Sequence, residues 1–286
     1  MRPNARHSAT PETDAPPFDP AAARQRCLRY RKRILDISQQ VTALHVAPAF
    51  SCTEIVDAIY HGLMRWDTPG RSPDVFVMSK GHGCLVQYVI LEEMGVLQPD
   101  DLALYCRPEG RLGAHPDVET PGIEASTGSL GHGMGMAVGM AYAEKLQGRD
   151  GRVFVVLSDG ECQSGSTWEA AMMAANLGLD NLVAFIDMND FSGLERMSEA
   201  HPAFHPLLEK FHAFGWDGAE VEGHDARQIH EAVTARLFEA APFVVVCRTV
   251  KGKGVSYMEH VPIWHYRSPS AAEYEQALAE LAEVGG

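Results

Sequence analysis

The spacing of apolar and polar residues predicts strands that alternate with helices along the chain. Two continuous apolar runs, VFVVL at 153–157 and LVAFI at 182–186, are typical of strands in a parallel sheet that is covered on both faces. A helix predicted over 167–177 lies between them and completes a βαβ unit. Further strands are predicted at 74–79, 219–222 and 243–249, and further helices at 20–40, 55–65, 84–93, 134–146, 207–214, 226–239 and 271–284. The alternation indicates an α/β domain with a mostly parallel sheet and helices on both faces.

The ends of the two central strands carry polar residues. Asp159 and Gly160 follow the first strand, and Asn189 follows the second. Parallel strands joined by a crossover end at the same sheet edge, where open α/β sheets bind ligands. Carboxylate and amide oxygens suit Mg²⁺ or Ca²⁺, and Mg²⁺ completes its shell with phosphate oxygens and water. Two interpretations remain open here: a seat for a Mg-bound diphosphate, or a helix cap at Asp159 and a chain turn at Asn189.

Composition and charge narrow the function classes. The 286 residues are 45% hydrophobic and 22% charged, which is ordinary for a soluble globular protein. The net charge of -14 disfavours nucleic acid and anionic membranes as partners. Six scattered cysteines show no zinc spacing, and neither a signal peptide nor an apolar run long enough to span a bilayer is present. The sequence therefore predicts a cytoplasmic protein with reduced thiols, no nucleic-acid partner and no membrane partner.

Several local features lead to narrower expectations. Residues 1–19, with four prolines among small polar residues, are predicted to be a disordered leader before one domain at 20–286. The arginines crowding the 20–40 helix form either a phosphate-binding face or, as we favour, a solvated face or a contact with an acidic partner. A loop is predicted at 42–50, and residues 51–54 have the spacing of a capping box. Small residues along 134–146 predict close packing against a neighbour.

Histidines stand in several turn-rich segments. His82 lies in a Gly-His-Gly turn between a strand and a helix, a geometry that aims backbone N–H groups and an imidazole at a ligand. A purely structural role for His82 is equally open on this pattern alone. The loops at 110–133 and 257–270 carry further histidines, among them His115 and His265.

Seven motifs in a fixed order give the chain a family resemblance from about residue 24 to 269. They are SKGHG at 79–83, GAHPD at 113–117, TGSLGHG at 127–133, SDGE at 158–161, DMN at 187–189, FGWDGAEVEGHD at 214–225, and KGKGVSYME at 251–259 with WH at 264–265. Together they resemble the N-terminal, diphosphate-binding half of transketolases, most closely the short form that is split between two polypeptides. The resemblance favours the Mg-diphosphate interpretation of Asp159 and Asn189.

The resemblance implies a thiamine diphosphate-binding fold that holds thiamine diphosphate through Mg²⁺ (or Ca²⁺). The implied metal ligands are Asp159, Asn189 and the carbonyl of Phe191. The implied cofactor-binding residues are His82, Gly128, Ser129, Leu130, Ser158, Gly160, Glu161, Asn189 and His265. The implied catalytic residues are His45, His82, His115 and His265, with His115 matching a histidine that hydrogen-bonds hydroxyls of the ketose donor. Imidazoles suit such proton transfer because they titrate near neutrality.

Three positions depart from the family pattern. Ser158 replaces a glycine where backbone meets phosphate, and the segment around His45 lacks the usual glycines. Asp190 replaces a glycine after Asn189 and adds a negative charge. These changes predict an unusual substrate or weakened catalysis.

The resemblance also implies a partner. In the family a glutamate from a pyrimidine-binding module activates the cofactor, and this chain ends after its first module, so a separately encoded C-terminal subunit is expected, with two copies of each. The expected reaction moves a two-carbon ketol unit from a ketose (phosphate) to an aldehyde. Two alternatives remain open. One is the α subunit of a thiamine-dependent 2-oxo acid dehydrogenase, which requires no set of hydroxyl-reading histidines. The other is a non-catalytic regulatory subunit.

Overall fold

A computed structural model describes residues 18–41, 45–236 and 240–285, so the predicted leader lies almost wholly outside the described residues. The strands are β1 (Val75–Met78), β2 (Val153–Ser158), β3 (Leu182–Met188), β4 (Phe191–Ser192), β5 (Glu195–Arg196), β6 (Asp217–Glu222) and β7 (Phe243–Arg248). The helices are α1 (Pro20–Ser38), α2 (Val46–Ser51), α3 (Thr53–Ala58), α4 (Cys84–Glu93), α5 (Pro99–Ala103), α6 (Gly133–Leu146), α7 (Gly165–Asn176), α8 (Met197–Ala200), α9 (Leu207–Ala213), α10 (Ala226–Thr234) and α11 (Ala271–Gly285).

The predicted α/β architecture is confirmed. Five strands form one parallel sheet in the order β1-β2-β3-β7-β6, and β4 and β5 form a separate antiparallel hairpin. Side chains of β2 alternate between two apolar clusters: Phe154 and Val156 pack toward α1, α3, α4 and α10, whereas Val155 and Leu157 pack toward α6, α7 and α9. Both faces of β2 are therefore buried, which explains its continuous apolar run.

The segment predicted as a loop at 42–50 is partly wrong, because α2 occupies 46–51. Pro48 misled the prediction, yet it stands in the first turn, where a helix leaves its N–H groups without intrahelical partners. The capping box predicted at 51–54 is also wrong. The Ser51 hydroxyl is fully buried and donates to Asp187 instead of capping α3. This segment delivers His45 and Ser51 to the sheet edge.

The arginines of α1 form neither a phosphate-binding face nor a simply solvated one. Four of them pair with acidic residues of α3 and α4: Arg26 with Asp57, Arg29 with Glu93, Arg31 with Glu54, and Arg33 with Glu92. Arg31 is 4% exposed. Although burial raises the pKa of Glu54, Arg31 and His224 lower that pKa to about 2. These pairs fasten α1 to the helices beside it.

The small residues of α6 divide between two environments. Ala137 and Ala141 are buried against the sheet, as the packing prediction requires. Gly135 and Gly139 face outward, and a methyl group added at either would meet no atom within 4 Å. Between His132 and Ala143 this outer face carries no charged residue. No helix in the described parts of the chain is long and apolar enough to cross a membrane.

Candidate active site

A cavity of about 290 Å³ opens at the carboxyl edge of the sheet. Its lining residues are His45, His82, His115, Gly128, Leu130, Ser158, Gly160, Phe191, Ser192, Gly193, His265 and Tyr266. Most residues that the sequence singled out are thus brought together. Ser129, Asp159, Glu161 and Asn189 adjoin this cleft without lining it. A larger cavity of about 730 Å³ lies between α1, α10 and α11 and contains none of the predicted site residues.

Asp159 and Asn189 join the chain segments that leave β2 and β3. The two carboxylate oxygens of Asp159 accept hydrogen bonds from the backbone N–H groups of Gly160 at 2.9 Å and Asp190 at 2.8 Å. The side-chain oxygen of Asn189 accepts the N–H of Phe191 at 3.1 Å. A Cβ at Gly160 would lie 2.9 Å from the carbonyl oxygen of Phe191, so only glycine permits this approach. The three expected metal ligands are therefore neighbours around one glycine.

The donor set fits a hard cation that also binds phosphate. Each oxygen of Asp159 and Asn189 keeps a lone pair, because an sp² oxygen accepts two hydrogen bonds. Burial, and then the charge of Asp187, raises the pKa of Asp159 to about 7, and a nearby cation would restore its ionised form. The described residues hold no cluster of three His, Cys, Asp or Glu side chains suited to a metal. A cation here would need phosphate oxygens and water to complete its shell.

A buried ion pair, which the sequence reasoning missed, lies beside Asn189, one of these expected ligands. The ammonium of Lys80 is fully buried between the carboxylate of Asp187 and the carbonyl of Pro48. Asp187 also accepts hydrogen bonds from the hydroxyls of Ser51 and Thr249. Burial raises the pKa of Asp187, but the nearby Lys80 holds that pKa below its usual range. A charged residue at the end of each of two buried strands was the available signal.

The same carboxylate orients the Asn189 amide. The Nδ2 of Asn189 donates to the Asp187 carboxylate at 3.1 Å and to the Ser51 hydroxyl at 3.0 Å. With the nitrogen held on that side, the amide oxygen faces Phe191 and the expected cation. Asp187 and Ser51 therefore hold Asn189, an expected metal ligand, in position and are not themselves among the expected ligands.

Four imidazoles gather at the cleft from four separate segments. The ring centre of His45 lies 5.7 Å from that of His82, 5.9 Å from that of His115 and 5.2 Å from that of His265. The Nδ1 of His45 is 2.8 Å from the carbonyl oxygen of His265 and must donate to it, which leaves Nε2 as an acceptor. The hydrogen bond to the His265 carbonyl holds the His45 ring in place, although the segment around His45 lacks the glycines of the family pattern.

Burial and the lysine side chains beside this cluster lower the pKa of its imidazoles. The Nζ of Lys251 contacts the Nδ1 of His265 at 2.7 Å and donates to the carbonyl of Gly193 at 3.0 Å. Burial, followed by Lys251, lowers the pKa of His265 to about 3, and burial followed by Lys80 lowers the pKa of Lys251 to about 7. Burial also lowers the pKa of His45, His82 and His115. These shifts favour the neutral imidazoles, which can serve as fixed hydrogen-bond donors and acceptors.

The TGSLG segment at 127–131 forms one wall of the cleft, where Gly128 lies against the ring of His115. Gly128 has φ +138°, and a Cβ there would lie 2.9 Å from the ring of His115. Glu161 is fully buried behind this segment, where its Oε1 accepts the N–H of Gly131 at 2.9 Å and the hydroxyl of Ser79. Its Oε2 has no hydrogen-bond partner among the described residues. Ser129 is exposed, whereas Leu130 reaches the cleft.

The structure accounts for the charge at Asp190. This residue has φ +69°, and its carboxylate accepts the N–H and hydroxyl of Ser198 and pairs with Arg196 at 3.3 Å. Arg196 therefore partly neutralises the charge of Asp190, and the Asp190 carboxylate accepts a backbone N–H group in the first turn of α8. Tyr266, another residue that the sequence reasoning missed, lines the cleft with its ring 4.4 Å from that of His265.

Relatives of known name match nearly the whole chain. Residues 24–276 match the family described as transketolase, thiamine diphosphate binding domain. An apulose-4-phosphate transketolase subunit of Phocaeicola vulgatus is 38% identical over 257 residues, which are 88% of this chain and 91% of the relative. A 6-deoxy-6-sulfo-D-fructose transketolase subunit of a Clostridium species is 35% identical, covering 89% of this chain and 94% of the relative.

Solved structures give the same result for the fold. Transketolase from Leishmania mexicana matches with a TM-score of 0.83 and 26% identity. The match covers 93% of this chain and 42% of the solved chain. The chain thus spans about two fifths of a solved transketolase but nearly the full length of the two relatives whose names describe them as subunits.

Proposed function

Because the chain belongs to the transketolase family, through its thiamine diphosphate-binding domain, we propose that it is the cofactor-binding subunit of a two-component transketolase. The observation that carries this proposal is one cleft that is lined by four imidazoles and by Gly160 and Phe191, with Asp159 and Asn189 directly beside it. The proposed reaction transfers a two-carbon ketol unit from a ketose, in phosphorylated form, to an aldehyde.

In this proposal thiamine diphosphate is held through Mg²⁺ by Asp159, Asn189 and the Phe191 carbonyl. The bound cofactor supplies the stabilised carbon nucleophile needed to break and form a carbon–carbon bond beside a carbonyl. His45 accepts a hydrogen bond from a substrate hydroxyl at its free Nε2. His265, whose Nδ1 is occupied by Lys251, donates from Nε2 to a substrate oxygen. His82 and His115 complete the polar wall that orients the ketose.

The proposal includes a separately encoded pyrimidine-module subunit, with two copies of each chain. The names of the two relatives, each described as one subunit of a transketolase, support a second polypeptide. The open outer face of α6, close to Leu130 at the cleft, offers an uncharged surface for it to cover. We further propose a cytoplasmic location, which the six free cysteines support, and a sugar as the substrate.

Replacing Gly139 with glutamate is expected to weaken association with the pyrimidine-module subunit by at least about tenfold, because a charge buried without a partner is costly. The isolated chain should keep its thermal stability, since nothing lies within 4 Å of the added Cβ and glycine is itself unfavourable in a helix. Ala282→Glu, on the exposed side of α11, is the matched control and should leave association unchanged. Sedimentation of the mixed chains checks this, and equal association of G139E and wild type would refute the assigned face.

The substrate distinguishes the transketolase proposal from the 2-oxo acid alternative. With its partner, Mg²⁺ and thiamine diphosphate, the chain should act on a ketose phosphate such as xylulose 5-phosphate and not on pyruvate. The histidine cluster favours the ketose, because a donor with several hydroxyls needs several fixed donors and acceptors. Turnover of pyruvate alone would reverse the ranking, and cofactor binding without turnover of either class would favour a regulatory subunit.

A further inference from the structure

The hydroxyl of Ser158 accepts a hydrogen bond but donates none within the described residues. Ser158 ends β2, is 3% exposed and lines the cleft. Its Oγ accepts the backbone N–H of Glu161 at 3.1 Å, and no group in the described residues accepts its proton. A hydroxyl offers one donor as well as its acceptor positions, and a donor left unpaired away from water costs free energy. The hydroxyl hydrogen of Ser158 therefore needs an acceptor that the described residues do not supply.

An anion that accepts this proton would find little free positive charge on the chain around Ser158. Most cations near the cleft are committed elsewhere: Lys80 bonds Asp187, and Lys251 bonds the His265 ring and the Gly193 carbonyl. Asp159 adds negative charge beside Ser158. An anion entering the cleft must then be held by a cation it brings along and by neutral donors of the chain. Ser192, the other serine of the lining, already donates to Gln163 at 3.0 Å, so of the two serine hydroxyls it is Ser158 that has the uncommitted proton.

We propose that Ser158 donates a hydrogen bond to an oxygen of the diphosphate and is an added anchor for the cofactor. The inference rests on the proposed function and gives it a chain-specific contact at the position where the family pattern has glycine. The side chain does not obstruct the seat, because its Oγ is held back by the N–H of Glu161. The departure at this position thereby strengthens diphosphate binding.

Calorimetric titration of the chain, mixed with its partner, tests the assignment with thiamine diphosphate and Mg²⁺. Ser158→Ala and Ser158→Gly should each weaken binding roughly ten- to a hundredfold, the range for a hydrogen bond to a charged acceptor. Inorganic pyrophosphate with Mg²⁺, which carries only the diphosphate, should show the same loss. Ser158→Thr keeps the hydroxyl and should restore most of the affinity.

Ser192→Ala is the matched control, and its affinity should stay within about twofold of wild type because that hydroxyl is already engaged. Thermal unfolding of each variant separates loss of the contact from loss of the fold. S158A or S158G binding as tightly as wild type, or S192A losing as much as S158A, would overturn the inference and leave the proposed function standing. Failure of the wild type to bind thiamine diphosphate would overturn both.

Discussion

Replacing Asp159 with asparagine is expected to weaken Mg²⁺-dependent binding of thiamine diphosphate by more than about a hundredfold. Loss of a partner that merely orients a metal ligand already costs roughly ten- to a hundredfold in metal affinity, and loss of the ligand's charge costs more. The asparagine keeps the size of the side chain but replaces one carboxylate oxygen with an NH₂ group. One of the two backbone N–H groups that now donate to Asp159 would then face a donor. Calorimetry with Mg²⁺ and thiamine diphosphate measures the effect.

Asp190→Asn is the matched control for the loss of a carboxylate. Asparagine tolerates the φ of +69° at this position, and the Asp190 carboxylate is engaged by Ser198 and Arg196 away from the seat. We expect D190N to bind the cofactor within about threefold of wild type. Similar losses in D159N and D190N would show that net charge, and not coordination by Asp159, governs binding.

The second large effect concerns the buried Lys80–Asp187 pair. Lys80→Met should lower the free energy of unfolding by about 3–5 kcal/mol, because it strands a fully buried carboxylate. The double variant K80M/D187N removes both charges and should recover most of that loss, since the Ser51 and Thr249 hydroxyls still find a polar partner. Urea denaturation measures both variants.

An exposed ion pair supplies the control. The side chains of Arg29 and Glu93 are 56% and 37% exposed, so Arg29→Met should change stability by less than about 1 kcal/mol. If the double variant is as unstable as K80M, the ammonium acts through its bond to the Pro48 carbonyl more than through the charge of Asp187. The cofactor site would then depend on α2 more directly than on β3.

The central seat could be predicted from sequence because it follows from chain order. Asp159 and Asn189 end consecutive parallel strands, and adjacency of such strands is the rule. Lys80 and Asp187 could not be paired in this way, since Lys80 follows β1 and Asp187 lies near the end of β3, and these two strands are separated by β2 in the sheet. Their contact depends on the full strand order and on the length of the lysine side chain.

Local signals misled where tertiary contacts outweighed them. Pro48 suggested a loop, but the first turn of α2 tolerates it. Ser51 suggested a helix cap, but a buried carboxylate offered a better partner. The histidines suggested groups that titrate near neutrality, but burial and two lysines keep them neutral. For Ser51 the deciding neighbour, Asp187, is distant in sequence.

The most direct test of the central claim is a calorimetric titration of thiamine diphosphate into the wild-type chain mixed with its pyrimidine-module partner. We predict saturable binding in Mg²⁺ that disappears when EDTA removes the cation, because no described lysine near the seat is free of another partner to replace it. Absence of binding in Mg²⁺, or equal binding in EDTA, would contradict the account.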